Sequence, residues 1–230
     1  MTRLTLTFDN GPTPGITDHV LSVLDRFGVK ATFFLVGSRL RTPDGARLAR
    51  RAHEAGHWLG NHTLSHGEPL GLQHVAGAAQ REIGEMEALL GDLAHPDRLF
   101  RPNGKGRLGP HLLNPEAVVY LRTHAGTVVL WDSVPLDRKV DVPSPDSWLA
   151  QARRDVLVRP WTLMVLHDRP SGHQPEGPMN HLADFLGWAR DQGVEFVQEF
   201  PDHCVPIRRG EVRLPLDDIV AQAQDSVASQ

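Results

Sequence analysis

The chain reads as one α/β domain on a mainly parallel sheet that closes, or nearly closes, into a barrel. Short apolar runs of strand type alternate with segments of helical period along the chain. There are roughly seven or eight such units, which favours a barrel over an open sheet, although periodicity alone does not separate the two. Polar motifs follow the strands at residues 9, 62, 101, 131 and 167, as on a barrel whose active groups share one rim.

In order, residues 3–8 alternate as a strand, and 16–27 carry Val20, Leu21, Leu24 and Phe27 on one helical face. Residues 31–36 form a buried strand ending at Gly37, and 44–55 a helix stopped by Gly56. Trp58-Leu59-Gly60 is a short strand leading to His62. Residues 73–90 predict one long helix with Ile83, Met86, Leu89 and Leu90 on its apolar side. Strands at 99–100, 127–130, 162–166 and 195–197 follow, with helices at 147–158 and 179–192 between the last three. The barrel is expected to span 1–205, and 206–230 to form a C-terminal packing tail with a helix-like segment at 216–227.

Composition narrows the function. The 230 residues suffice for a substantial core without a second domain, and a net charge of −4 gives no footprint for nucleic acid. Gly (21) and Pro (18) suit a fold rich in strand-to-helix turns. A single cysteine, Cys204, rules out an intrachain disulfide framework and fits a reducing compartment. A strand begins within three residues of Met1, and no apolar stretch reaches membrane-spanning length; the expectation is a cytoplasmic protein without a membrane partner.

Thr7-Phe8-Asp9-Asn10-Gly11-Pro12 ends the first strand in a Gly-Pro turn. His62 and His66, four apart after a strand, have a spacing that can place two imidazoles on one metal ion. His53 and His57 have the same spacing at the end of a helix-like segment, where a structural or surface role is expected. Spacing alone therefore leaves the roles of His62 and His66 open. Trp148, Trp161 and Trp188 read as core residues.

The ordered set is more specific. Thr-Phe-Asp-Asn-Gly-Pro, Asn-His-Thr-x-x-His (61–66), Phe-Arg-Pro (100–102), Trp131-Asp132 with the later Asp137, and Leu-His-Asp (166–168) resembles the NodB-homology polysaccharide deacetylases. The likeness covers about residues 3–200. It implies an irregular (β/α)7 barrel and a metal-dependent hydrolase that removes N- or O-linked acetyl groups from saccharides. Asp9 then matches the general base and His167 the general acid. Arg101 matches the arginine that holds the base ionised. Asp137, or else Asp132, matches the aspartate that orients the acid. His62, His66 and Asn10 stand at the three ligand positions for a divalent metal, zinc being expected. Trp131 and Leu166 would line the acetyl pocket, and Pro102, Asn103 and Gly104 the substrate loop. Such roles suit amide hydrolysis, which needs an activated water, an electrophile for the carbonyl and a proton for the amine.

Three positions depart from the pattern. Asn10 replaces a ligand aspartate, and a neutral amide is the poorer ligand. The family's Arg-Pro-Pro-Tyr-Gly is Arg101-Pro102-Asn103-Gly104-Lys105 here, and Arg138 replaces a tryptophan. Two alternatives follow: a non-catalytic member that binds a glycan or partner, and a metal-independent amidohydrolase acting on a small non-sugar amide.

Overall fold

The computed structural model describes residues 1–135, 146–169 and 177–222. Strand β1 (Arg3–Asp9) lies at its centre, paired in parallel with β6 (Trp161–His167) on one side and β2 (Thr32–Leu35) on the other. Parallel pairing continues through β3 (Trp58–Asn61), β4 (Leu99–Phe100) and β5 (Thr127–Val128). Strand β7 (Glu195–Val197) pairs with the first half of β1, below the residues that meet β2. Among the described residues, seven parallel strands thus form the wall. An antiparallel hairpin, β8 (Ile207–Arg208) and β9 (Glu211–Val212), continues the sheet from β5.

The barrel does not close by a full ladder. Between β5 and β6 the described residues give one bridge, Ser133 to Met164, with Asp132 and Ser133 N–H groups donating to the Leu163 carbonyl at 3.0 and 3.2 Å. This seam makes the barrel irregular.

Strand alternation sets what faces inward. On β1, Leu4, Leu6 and Phe8 join the outer core under the helices, leaving Thr5, Thr7 and Asp9 on the opposite face. On β6, Met164 and Leu166 belong to the outer core, and Leu163 and Val165 to the inner one. Helix α1 (Ile16–Phe27) buries Ile16, Val20, Leu21 and Leu24, and ends at Gly28, whose φ of 63° suits a residue without Cβ. A one-turn helix, α2 (Gly37–Leu40), precedes α3 (Pro43–Glu54), which is capped by Thr42 Oγ1 accepting from Gly45 N–H at 3.0 Å.

Residues 73–90 are not one helix. A turn at 75–77 leads into helix only from residue 78, and that helix is interrupted by a π-helical stretch, Gln80–Gly84, before it resumes as Glu85–Leu90 (α4). Helix α5 (Pro115–Thr123) has no counterpart among the expected elements, although Asn114-Pro115 is a start signal: Asn114 Oδ1 accepts from Ala117 N–H at 2.8 Å. Helices α6 (Asp146–Leu157) and α7 (Leu182–Asp191) complete the outer layer; a 3-10 turn, Gly177–His181, replaces the first turns expected for α7. The described part of 216–227 is turns rather than helix. There Val220 bridges to Leu113 and Ile219 enters the inner core.

Candidate active site at the barrel mouth

The C-terminal ends of β1, β3, β4 and β6, with the segment after β5, surround a cavity of about 260 Å³. Its lining includes Asp9, Asn10, His62, His66, Trp131 and His167. Parallel pairing brings Asp9 and His167 side by side, since they are register partners on β1 and β6.

Arg101 is fully buried beneath this cavity. Its Nη1 donates to Asp9 Oδ1 at 2.9 Å and to Thr7 Oγ1 at 2.6 Å; Nε and Nη2 donate to the carbonyls of Val129 and Leu130 at 3.0 and 3.2 Å. Its guanidinium carbon sits 4.0 Å from the Phe34 ring centroid. Burial by itself raises the Asp9 pKa, but the charge of Arg101, aided by His62 and His167, outweighs it and leaves Asp9 below its ordinary value. The carboxylate is therefore ionised, with Oδ2 turned toward His62 Nε2 at 3.7 Å.

The two histidines are prepared as neutral donors. Nδ1 of His62 donates to the Arg101 carbonyl at 2.8 Å, leaving the Nε2 lone pair for the cavity. Burial lowers the pKa of His62, and burial followed by repulsion from His62 lowers that of His66 to about 4. Their ring centroids are 5.0 Å apart. The connecting loop is braced from below. Asn61 Oδ1 accepts from Thr63 N–H at 2.9 Å and its Nδ2 donates to the Ile83 carbonyl at 2.8 Å, while the Glu82 carboxylate accepts from Ser65 N–H and Oγ–H. Both braces come from the π-helical stretch, a local irregularity common beside functional sites.

Asn10, Thr63 and His66 all adopt left-handed backbone, with φ of 77°, 69° and 52°. Such conformations are costly for residues with a Cβ and collect at sites the surrounding structure over-determines. Asn10 Oδ1 is buried without a hydrogen-bond partner. An orphaned acceptor beside two neutral imidazoles forms an N,N,O donor set, which fits a divalent cation. It lacks the negative charge that a carboxylate would bring.

Loop positions are set by close approach. A Cβ on Gly11 would lie 2.1 Å from Asp168 Oδ2, and one on Gly104 would lie 2.3 Å from Leu112 Cδ2. Asp168 is buried, accepts from Thr17 Oγ1 at 2.6 Å and has its pKa pushed up to about 7, chiefly by burial. Asn103 lines the cavity, but its Nδ2 donates to the Gly67 carbonyl at 2.8 Å, so the amide ties the 101–106 loop to the His66 loop.

One expectation is corrected. Leu166 does not line the cavity: it is fully buried in the outer core, and strand alternation turns Val165 inward instead. Pro102, Asn103, Gly104 and Trp131 do line it. Asp137 and Arg138 lie outside the described residues. Asp132, the alternative partner for His167, points away from the cavity and accepts from Leu163 N–H and His203. His57 is buried with Nδ1 accepting from Ala31 N–H at 3.1 Å, a structural role. Sequence reasoning gave no site role to Val134, Lys105 or Arg169, which also line the cavity.

A family model described as polysaccharide deacetylase matches residues 2–107. A chitooligosaccharide deacetylase of Sinorhizobium fredii is 32% identical over 194 residues, covering 82% of this chain and 79% of the relative. The chain belongs to the polysaccharide deacetylase family. A second member of that family, a peptidoglycan-N-acetylglucosamine deacetylase of Bacillus cereus, is 41% identical over 196 residues, 84% of each chain. Among solved structures, a family 4 acetyl xylan esterase from Clostridium thermocellum, in complex with a cobalt ion, superposes with a TM-score of 0.67 at 26% identity, covering 85% of this chain and 87% of that one. That solved structure carries a divalent ion.

Proposed function

We propose that the protein is a hydrolase that removes acetyl groups from an acetylated saccharide at the barrel mouth. The observation that carries this reading is the convergence of an Arg101-paired Asp9, its register partner His167 and the His62/His66/Asn10 donor set on one cavity. Relatives that deacetylate chitooligosaccharides and peptidoglycan support the substrate class.

A divalent ion held by His62, His66 and Asn10, zinc in this proposal, would supply Lewis acidity toward water and the acyl carbonyl. This chain's own residues do the rest. Asp9, ionised and fixed by Arg101, takes the proton of the attacking water on Oδ2. His167, on the adjacent strand, returns a proton to the departing amine nitrogen, without which an amide does not cleave readily. Trp131, Val134 and Val165 give the cavity an apolar wall against which the acetyl methyl packs.

Acetate release from acetylated chito-oligosaccharides by chelator-stripped and zinc-restored protein tests the proposal. Release restored by the ion supports it. No release from either form would leave a glycan-binding member without turnover.

A further inference from the structure

Away from the cavity, the described residues hold another cluster of metal-binding side chains, Asp132, His203 and Cys204, whose ligand atoms all lie within 4.8 Å of one another. We propose that these three side chains form a second cation site, for a borderline-soft divalent ion such as zinc or cobalt, on the seam between β5 and β6. Thiolate, imidazole and carboxylate are the donors such ions prefer, and three of them leave a fourth position for water.

The cluster is held in place before any ion arrives. Asp132 Oδ2 accepts from Leu163 N–H at 2.9 Å, fixing the carboxylate, and Oδ1 meets His203 Nε2 at 2.8 Å. The Cys204 carbonyl accepts from Leu130 N–H at 2.8 Å, and a 3-10 turn, Asp202–Cys204, presents His203 and Cys204 side by side. Cys204 is buried, whereas the His203 side chain is 56% exposed and opens the site to solvent. Arg159 Nε lies 3.7 Å from Asp132 Oδ1; it is half-exposed on a flexible stem and can swing into water when a cation takes its place.

A nucleophilic role for the cysteine does not fit. Burial, and then the Asp132 carboxylate, push the thiol far above its ordinary pKa, away from the thiolate a nucleophile needs. On metal binding the thiol proton leaves to solvent and the sulfur lone pair takes its place as a ligand. The bound ion would pin the part of the barrel wall that lacks a full ladder.

Cobalt(II) titration of the 230-residue chain after chelator treatment is the test. Cys204 is the sole cysteine, so a thiolate-to-cobalt charge-transfer band reports this site alone; the barrel mouth offers only nitrogen and oxygen donors. The expected result is a saturable band that Cys204→Ser abolishes. His203→Gln, an exposed change that leaves the fold intact, should weaken it about tenfold or more, since even outer-shell partners commonly cost that much. Cobalt uptake without a thiolate band would overturn the proposal. So would a band whose affinity is unchanged in His203→Gln.

Discussion

Replacing Arg101 by Met keeps much of the apolar stem and removes the charge that Asp9 depends on. The guanidinium has no exposed surface and donates to one carboxylate, one hydroxyl and two carbonyls. Breaking a buried ion pair by removing one partner costs about 3–5 kcal/mol, because the other charge stays buried without compensation. The orphaned carbonyls add to this unless water reaches them. The loss should depend on pH. In the wild type the folded Asp9 pKa lies below 3.8, so its contribution is stabilising above that value and fades only as pH falls through the lower folded one. Without Arg101, burial raises the carboxyl above 3.8, and the variant is penalised as pH rises from there through its new pKa. Each unit of that difference is worth about 1.4 kcal/mol. Urea denaturation of both proteins at about pH 4 and about pH 7 checks this, with the larger gap expected at neutral pH. A deficit under about 1 kcal/mol, equal at both pH values, would show that Arg101 does not sustain the Asp9 charge.

Asn10→Asp places a carboxylate where a buried amide oxygen has no partner, so calorimetric zinc affinity should rise about tenfold or more, equivalent to about 1.4 kcal/mol. Equal affinities would mean that position 10 is not a ligand. His57, buried, has its pKa lowered from 6.5 to about 4, chiefly by burial, so the stability it contributes is full above 6.5 and is lost as pH falls toward 4. That amounts to about 3 kcal/mol, and His57→Asn should flatten the acid branch of a urea-stability profile; an unchanged slope would place the acid sensitivity elsewhere.

Much of the site is legible in residue order because strand ends fix side chains in a way that motif spacing reflects. Asp9, His62 and His167 each end or follow a short apolar run, and the structure places all three on one cavity. The family resemblance places Leu166 on the acetyl pocket, against the strand period of two. Counting back from His167 in steps of two gives Val165 and then Leu163, the inner residues of β6. The break in 73–90 is hidden since an apolar stripe survives a π-helical insertion, and its role in bracing His62 and His66 is tertiary. The seam at Asp132 is equally invisible, as its partners come from residues 163, 203 and 204. Helix α5, by contrast, carries a readable start signal in Asn114-Pro115.

The role of Asp9 can be measured directly by comparing acetate release from acetylated chito-oligosaccharides by wild type and Asp9→Asn, each loaded with the same divalent ion. Asp9→Asn should retain its metal affinity, because the side chain accepts the proton of the attacking water and is not a ligand, and should lose about a hundredfold or more in rate. Acetate release by Asp9→Asn at the wild-type rate would contradict the assignment of the barrel mouth as a base-assisted deacetylase.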